Sequence, residues 1–466
     1  MSFSPERLLR ALEDCLAGVA SPPHAGFCVA LSGGLDSTVL LASLARLRDA
    51  QQLPGPLRAI HVDHALHMDS ARWAAACRSF AARLGVPLED IRVAAAAAHG
   101  ESPEAAARMA RYAALEAQLG SGEVLLTAHH ADDQLETILL QWLRGGGLRA
   151  VAGMQRRAAF GPGWHARPML NFPRDGLQAW ATQAGLSWLE DPSNLDTRYD
   201  RNYLRLAVLP AMRRRWPSVA RTAARVAEYA ADALELEDVL ATADLRAVAE
   251  GAALSLARLH ALPDVRQRAA LRAWLRRLAL PAPAARTLAA LRHDMRVAAP
   301  DRIPVAEWPG AVVRRYRERL HAEAPLASGF RTGEWRPAQT LVFPLADDSS
   351  LELVADVGLG LSRARLPAAL DVVARMEGSM FQPAGRAHRR PLRKWFQDRG
   401  VLPWRRDVIP LLRAAGEIVA VADISCAAEF AALPGEPSWR VCWHGRPLLT
   451  EAEVIAFNWP EHPPIL

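Results

Sequence analysis

Residues 27–38 read FCVALSGGLDST, an apolar run followed by a glycine turn and the polar start of a helical pattern. Two adjacent glycines let the backbone turn tightly and approach a ligand closely. The unpaired N–H groups at a helix start, together with the helix dipole, favour an anion. Ser32, Ser37 and Thr38 add hydroxyl donors. This stretch therefore predicts a phosphate-binding turn between a strand and a helix.

A carboxylate distinguishes this turn from the Walker A loop. The Walker A loop spaces its glycines more widely and ends in Gly-Lys-Ser/Thr, whereas this turn has no lysine and carries Asp36. A carboxylate next to phosphate requires an intervening cation, which we expect to be Mg2+ held by Asp36. A Gly-Gly pair that only caps a strand is the alternative from these residues alone.

The length of the chain and the positions of its cysteines limit the class of protein. A chain of 466 residues is too long for one ordinary core and predicts two to three domains. No apolar run is long enough to cross a bilayer, and no secretory signal is visible. The five cysteines are scattered and form no CxxC pair. This pattern argues against a disulfide framework, a zinc site and an iron–sulfur cluster, and it favours the cytoplasm.

Basic residues concentrate in two segments. The formal net charge is +6, and Lys394 is the only lysine. Seven arginines stand against one acid, Glu228, between Arg201 and Tyr229, and nine basic residues stand against two acids between Gly385 and Arg413. Such patches bind polyanions. A solvated helix face, or salt bridges to another part of the chain, is the alternative.

The first two hundred residues alternate apolar strands with amphipathic helices, which is typical of an α/β fold with a doubly wound parallel sheet. In such sheets, ligands bind at the carboxyl ends of the strands. From Pro210 to Ala322 the pattern becomes almost wholly helical, and strand-like runs return after Pro337. We predict an α/β domain over 1–212, a helical domain over 213–325 and a small α+β domain over 338–466. The first domain has predicted strands at Phe27 to Leu31, Leu57 to Asp63, Ile91 to Val93 and Glu123 to Ala128, and predicted helices at Pro5 to Ala17, Ser37 to Arg48, Asp69 to Leu84, Pro103 to Leu119 and Asp132 to Leu143.

Polar side chains follow two of the predicted strands. His64 comes after the second strand, and the segment HHADDQLET from His129 to Thr137 follows the strand that ends near Ala128. With a helix start near Asp132, Asp133 and Glu136 share one helix face, and His129 lies just before its first turn. Two carboxylates and an imidazole can then converge. Helix capping and a transition-metal site are the alternatives, although the HExxH pattern is absent.

The turn resembles the SGGxDS signature of the PP-loop ATP pyrophosphatase superfamily, and all six signature positions match. The resemblance implies an adenine nucleotide alpha hydrolase-like fold. It also implies that ATP is cleaved between its α and β phosphates and that AMP passes to a substrate oxygen. The ATP contacts it implies are Ser32, Gly33, Gly34, Leu35, Asp36, Ser37 and His64.

Further motifs narrow the resemblance. The segments HHADDQLET, AAARMARY, RPML and DPSNLDTRYDRNYLR occur in that order, followed by RRPLRKWFQDRGVLPWRRDVIPLL near the C-terminus. Together they are similar to the long form of the tRNA-isoleucine lysidine synthetase family. His67 and Met169 are mild departures that leave the reaction type intact. The resemblance implies that ATP activates C2 of the wobble cytidine in a CAU anticodon, after which the ε-amine of free L-lysine displaces AMP.

The resemblance and the residue types together assign roles. Asp36, His129, Asp133 and Glu136 are the expected catalytic residues, with Asp133 and Glu136 binding lysine and His129 as a candidate base. Arginine-rich segments would hold the tRNA backbone while the cytidine is flipped. Trp395 and Trp404 could stack on bases, although core packing is the commoner role of tryptophan. The expected tRNA or phosphate contacts are Arg108, Arg111, Arg167, Arg201, Arg205, Arg389, Arg390, Arg393 and Lys394.

Three other functions compete with this hypothesis. A tRNA 2-thiocytidine synthetase also activates a cytidine C2, but that chemistry needs suitably placed cysteines. An amidotransferase-linked synthetase would need an N-terminal cysteine nucleophile, which the start Met1-Ser2-Phe3 does not provide. A non-catalytic RNA-binding protein with a merely structural nucleotide loop is the third. No membrane partner is expected, and a homodimer stays open.

Overall fold

The structure is a computed structural model that describes residues 3–18, 25–63, 69–93, 103–190, 195–297, 299, 302–325, 330–346, 348–375 and 378–457. It divides into two compact units, Met1–Glu237 and Asp238–Leu466. Within the described residues, no helix is long and apolar enough to cross a membrane.

The first unit alternates strands and helices, as the sequence predicts, and most observed bounds lie within two residues of the predicted ones. Its strands are β1 (Phe27–Ala30), β2 (Leu57–Asp63), β3 (Leu88–Arg92), β4 (Val124–Leu126), β5 (Arg157–Phe160) and β6 (Gly163–Ala166). Its helices are α1 (Pro5–Leu16), α2 (Leu35–Asp49), α3 (Ser70–Arg83), α4 (Pro103–Ala117), α5 (Ala131–Leu143), α6 (Leu148–Ala152), α7 (Arg174–Gln183), α8 (Asp200–Tyr203) and α9 (Leu209–Arg215), and α10 (Val219–Val248) contains the division between the units.

The six strands of this unit form one sheet in the order β3-β2-β1-β4-β6-β5. Five of them run parallel, and β5 is an antiparallel edge strand that pairs with β6. Phe27, Cys28 and Val29 of β1 have no solvent exposure, because helices cover both faces of the central strands. The chain passes from β1 to β2 on one side and returns to β4 on the other. The carboxyl ends of β1 and β4 therefore meet at a topological switch point, where open α/β sheets bind ligands.

The second unit is a mixture of short helices and antiparallel strands. Its helices are α11 (Leu256–His260), α12 (Asp264–Arg277), α13 (Ala285–Val297), α14 (Leu392–Asp398) and α15 (Glu451–Ala456). Its strands are β7 (Ala249–Glu250), β8 (Ala253–Ser255), β9 (Val305–Trp308), β10 (Ala311–Tyr316), β11 (Arg319–Glu323), β12 (Gly333–Trp335), β13 (Val342–Ala346), β14 (Ser349–Val357), β15 (Leu361–Ser362), β16 (Leu370–Val373), β17 (Met380–Phe381), β18 (Arg390–Pro391), β19 (Leu411–Ala414), β20 (Glu417–Val421), β21 (Ser425–Cys426) and β22 (Pro437–His444).

The segment predicted to be almost wholly helical also contains a sheet, which the sequence prediction omitted. Five strands pair in the order β7-β8-β11-β10-β9, and they share a core with α12 and α13. These strands are short, and Gly310 and Arg317 occupy left-handed turn positions between them, with φ of 84° and 54°. Strands of two to six residues carry little alternation of apolar and polar residues, so the surrounding helical pattern dominates the sequence signal.

The last part of the second unit is an α+β arrangement, as predicted. One sheet has the order β12-β16-β19-β20-β21 and another the order β13-β14-β22-β15. Helix α14 buries Leu392, Trp395 and Phe396 against the strands.

Candidate active site

The glycine turn lies between β1 and α2, and its polar atoms are held by one another. The Ser37 hydroxyl donates to the Gly34 carbonyl at 3.2 Å and accepts the Ser32 N–H at 3.2 Å. The Ser32 and Ser37 hydroxyl oxygens are 3.0 Å apart. Gly34 is the N-cap of α2 and supplies no side-chain cap, so the first N–H groups of this helix are available to an anion.

Gly33 meets two requirements that other residues do not. Its φ is 81°, in the left-handed region that glycine adopts without strain. A Cβ at this position would lie 2.8 Å from Leu189 Cδ1 and 2.9 Å from Cys77 Sγ. The Leu189 N–H donates to the Gly33 carbonyl at 2.9 Å. The turn is therefore pressed against its neighbours, and its shape is fixed.

Asp36 lies in the first turn of α2 and faces His130 from the loop after β4. Asp36 Oδ2 is 3.5 Å from His130 Nε2, which is also 3.4 Å from Asp133 Oδ2. Asp36 Oδ1 is buried and has no hydrogen-bond partner among the described residues. Burial raises the pKa of Asp36, but the hydrogen bond and positive charge of His130 outweigh it and lower the pKa. Asp36 is thus an ionised carboxylate with one oxygen left over.

His130, which the sequence analysis did not select, is a central cation of this site. Burial lowers its pKa, but Asp133, Asp36 and Asp132 outweigh that effect and raise the pKa to about 9. The Asp133 N–H also lies 3.3 Å from His130 Nδ1 in a capping-box arrangement at the start of α5. A ring protonated at both nitrogens cannot accept that N–H. The raised pKa and this hydrogen bond therefore imply different protonation states of His130. We favour the charged form, because three nearby carboxylates outweigh one long hydrogen bond.

The two expected lysine-binding carboxylates are already paired with arginines. Glu136 accepts from Arg201 Nε at 2.9 Å and from Arg205 Nε at 2.8 Å. Asp133 Oδ1 lies 3.2 Å from Arg205 Nη2, and Asp132 pairs with Arg213. With the pair of Asp36 and His130 included, four carboxylates thus face four cations. The acidic pocket expected from the sequence is therefore charge-compensated. Arg201 and Arg205, expected to contact tRNA phosphate, are used inside the protein here.

A π-helical turn at Leu204–Val208 carries Arg205 between α8 and α9. Pro210, in the first turn of α9, has no N–H and clashes with the backbone four residues earlier, which disfavours regular α-helix at this point. Wide turns of this kind occur often at functional sites. Two guanidinium groups thereby reach Glu136, that of Arg201 from α8 and that of Arg205 from the turn itself.

His129 belongs to a separate chain of hydrogen bonds, in which the donor and the acceptor of each bond can be assigned. Arg167 Nη2 lies 3.1 Å from His165 Nδ1, and arginine can only donate. His165 Nε2 therefore carries a proton and donates to the Thr127 hydroxyl at 2.8 Å. That hydroxyl then donates to His129 Nδ1 at 2.8 Å. His129 accepts at Nδ1, so its proton resides on Nε2.

The pKa shifts agree with this direction. Burial, then the positive charge of Arg167, lowers the pKa of His165 to about 3. The same two causes, in the same order, hold the pKa of His129 well below its usual value. Both rings are neutral near pH 7. His129 is a candidate base by its place in the sequence, but a ring protonated at Nε2 presents a donor there.

The remaining predicted contacts are dispersed. Arg108 is exposed, with its guanidinium 5.2 Å from the centre of the Tyr112 ring, and Arg111 lies on the exposed side of the same helix. Arg167 is partly buried and donates to the Gln155 carbonyl at 2.8 Å. His64 and His67 lie outside the described residues.

Some of the predicted tRNA contacts near the C-terminus, and the predicted stacking of a tryptophan, differ from the structure. Arg389 pairs with Glu417 and Arg390 with Asp398, whereas Arg393 and Lys394 are exposed on α14. Trp395 is only 3% exposed, with its ring 5.0 Å from that of Phe381. Stacking of Trp395 on a base is therefore wrong, because the ring is part of the core. Trp404 packs between His321 and Tyr316.

Family comparisons agree with this arrangement of units. The model of the PP-loop domain family matches residues 6–212. The TilS substrate binding domain matches residues 254–321, and the TilS substrate C-terminal domain matches residues 370–443.

Relatives with the name tRNA(Ile)-lysidine synthase match almost the whole chain. The protein from Alkalilimnicola ehrlichii is 43% identical over 93% of this chain and 96% of its own length. The protein from Methylococcus capsulatus is 40% identical over 90% of this chain and 97% of its own length, and that from Coxiella burnetii is 35% identical over 94% and 96%. On the strength of these matches, the chain belongs to the tRNA(Ile)-lysidine synthase family.

Proposed function

We propose that this protein joins L-lysine to C2 of the wobble cytidine of tRNA(Ile) with a CAU anticodon, giving lysidine. The C2 oxygen attacks the α-phosphorus of ATP and pyrophosphate leaves. The lysine ε-ammonium then gives a proton to the carboxylate pair of Asp133 and Glu136, the free amine attacks C2, and AMP leaves. The observation that carries this proposal is the free helix start of α2 beside ionised Asp36, at the switch point of the sheet. The resemblance in sequence supports the choice of substrates.

The turn binds the triphosphate of ATP through the first N–H groups of α2. The Ser32 and Ser37 hydroxyls, which bond to each other and to the Gly34 carbonyl, turn to donate to the phosphates when ATP binds. Asp36 would hold Mg2+, since its buried Oδ1 has no hydrogen-bond partner among the described residues, and carboxylate oxygen is a preferred ligand of that ion. An ion held there by Asp36 would supply positive charge to phosphates that lose pyrophosphate. His130 holds Asp36 in its ionised form and adds a fixed positive charge near the same place.

Lysine binding requires a change at Asp133 and Glu136. Both carboxylates are paired with Arg201 and Arg205, so an ammonium group reaches them only if an arginine side chain moves away. The exchange of one cation for another keeps the buried carboxylates neutralised, which avoids the cost of an unpaired buried charge. Arg201 and Arg205, when displaced, become available to phosphate.

His129 acts as a hydrogen-bond donor in this proposal. Its Nε2–H suits an oxygen that gains negative charge, such as a phosphate oxygen. Thr127, His165 and Arg167 are positioning residues, because they hold the ring in this tautomer.

The cysteines disfavour the thiolation alternative. Burial raises the pKa of the Cys15 thiol to about 11 and the pKa values of Cys28 and Cys77 to about 12. Thiols of this kind are poor nucleophiles at neutral pH. ATP, free lysine and tRNA meet in the cytoplasm, where we place the reaction.

Incubation with ATP, Mg2+, labelled lysine and tRNA(Ile) bearing CAU tests the proposal. We expect label in the anticodon nucleoside after complete nuclease digestion. Label on the 3′ terminal adenosine would indicate aminoacylation, and an unlabelled tRNA would contradict the proposed reaction.

A further inference from the structure

A cleft between α1 and the start of α10 concentrates positive charge beside the loop whose Phe172 carbonyl accepts the Ala131 N–H at the start of α5. Its volume is about 650 Å³, and Phe172 and Pro173 are among the residues that line it. Helix α1 contributes Arg7 and Arg10, and their spacing of three places them on one helix face. Helix α10 contributes Arg221 and Arg225, which are four residues apart.

The charge of this cleft is not balanced from within. Five arginines line it, and Asp14 is the single carboxylate among its described lining residues. The fifth arginine, Arg156, pairs with Glu228. By contrast, Arg10, Arg221 and Arg225 form no ion pair with another described residue. Cations held this close repel one another, which costs stability unless an anion is bound.

Two hydroxyls can add hydrogen bonds to a ligand in the cleft. Ser218 and Thr222 present them from the residue before α10 and from its first turn, whereas the Asn171 amide already donates to Glu228 at 2.9 Å. A guanidinium fork binds phosphate with two parallel hydrogen bonds. The cleft lies within the usual size range of ligand sites, which exceeds the needs of one small ion. A chain of phosphodiesters satisfies the charge, the donors and the size together.

Five of the seven arginines between Arg201 and Tyr229 therefore form two groups. Arg201, Arg205 and Arg213 neutralise carboxylates of the active site. Arg221 and Arg225 remain exposed, and α1, whose arginines the sequence analysis did not select, completes their surface. We propose that this α1–α10 cleft binds a tract of RNA phosphodiester backbone. The identity of that RNA as tRNA rests on the proposed function.

Salt dependence of tRNA binding tests the cleft. The test variant is R10Q/R221Q, and the matched control is R72Q/R92Q, which removes two exposed arginines from α3 and β3 at the opposite side of the sheet. The dissociation constant for tRNA(Ile) transcript is measured from about 50 to about 300 mM salt. Two lost phosphate contacts reduce the slope of log affinity against log salt by about 1.4 to 1.8 in R10Q/R221Q, whereas the control keeps the wild-type slope.

Phosphate contacts carry no sequence information, so the loss should be equal for a tRNA with a different anticodon. A wild-type slope in R10Q/R221Q, or a loss confined to the CAU tRNA, would overturn the cleft proposal. Thermal unfolding of both variants checks that they fold. Failure of the wild-type protein to form lysidine would overturn the proposed function instead, and the salt slopes would still report on the cleft.

Discussion

The tautomer of His129 decides whether its Nε2 acts as a hydrogen-bond donor or as a base. Glutamine places an amide N–H where His129 has Nε2–H, whereas asparagine reaches only the position of Nδ1. We therefore expect His129→Gln to retain a larger share of kcat than His129→Asn, and Thr127→Val to lower kcat by removing the hydroxyl that orients the ring. Steady-state lysidine formation measures these rates.

The pH profile is the accompanying readout for His129. Because burial and Arg167 hold the pKa of His129 well below its usual value, the rate should show no step from this ring near pH 6 to 7. Equal loss in the glutamine and asparagine variants, with an acid limb that the wild type shows and both variants lack, would identify His129 as a base.

His130 should make stability depend on pH in a defined direction. Its pKa is raised to about 9, above the value of about 6.5 expected in the unfolded chain. Its stabilising contribution, of the order of 3 kcal/mol, is fully present below about pH 6.5 and is lost as pH rises through about 9.

Thermal unfolding of the wild-type protein and of His130→Gln, compared from about pH 6 to about pH 10, measures this contribution. The difference between their midpoints should be largest at the acid end and should shrink toward pH 10. A difference that grows with rising pH would contradict the charged state of His130.

Single residues show which parts of the site the sequence could predict. The turn from Ser32 to Ser37 was predictable as a glycine turn between a strand and a helix, because its residues are adjacent in the chain. The ion pairs of Glu136 with Arg201 and Arg205 span more than sixty residues, so no local pattern indicates them. His130 had a signal, since it stands beside His129 and directly before the acids of α5. His165 also had one, since it lies near the carboxyl end of β6, the strand next to β4.

The strand–turn–helix element at β1 and α2 depends on Gly33. Gly33→Ala introduces a Cβ 2.8 Å from Leu189 into a left-handed residue, and we expect a loss of about 2 to 4 kcal/mol from strain and overpacking together. The turn should also bind ATP more weakly, because its N–H groups move.

Gly34→Ala is the control for this substitution. Gly34 has φ of −72°, and the nearest atom to its added Cβ is Ser32 Oγ at 3.6 Å. Its unfolding midpoint should stay close to that of the wild type. Equal midpoints for the two variants would show that the turn is less constrained than its contacts indicate.

Elements were predictable where their signals are local and strong. The helix start at Pro5 and the strand Leu57–Asp63 have their predicted bounds, and the helix predicted from Ser37 after the glycine turn begins at Leu35. The sheet of β7 to β11 was missed because strands of two to six residues acquire their apolar face only from packing against α12 and α13. Tertiary context decides such strands.

At the scale of the whole molecule, the arginines and the lysine between Gly385 and Arg413 should contribute unequally to tRNA binding. Arg389 and Arg390 are paired with carboxylates, so their charge is already compensated, whereas Arg393 and Lys394 are exposed and form no ion pair with another described residue. R393Q/K394Q should therefore reduce the salt slope of tRNA binding by about 1.4 to 1.8. R389Q/R390Q, with the same formal charge change, should reduce it less. A larger effect of R389Q/R390Q would contradict this assignment.

The proposed chemistry places AMP on the tRNA before lysine arrives, and this intermediate can be observed directly. The measurement uses ATP labelled at the α-phosphate, Mg2+ and tRNA(Ile) bearing CAU, without lysine, and Asp36→Asn serves as the control. We predict label on the wobble cytidine of the tRNA, its release as AMP when lysine is added, and at least about a hundredfold less label with Asp36→Asn. Label that never appears on the tRNA, or AMP formed equally well without tRNA, would contradict the account.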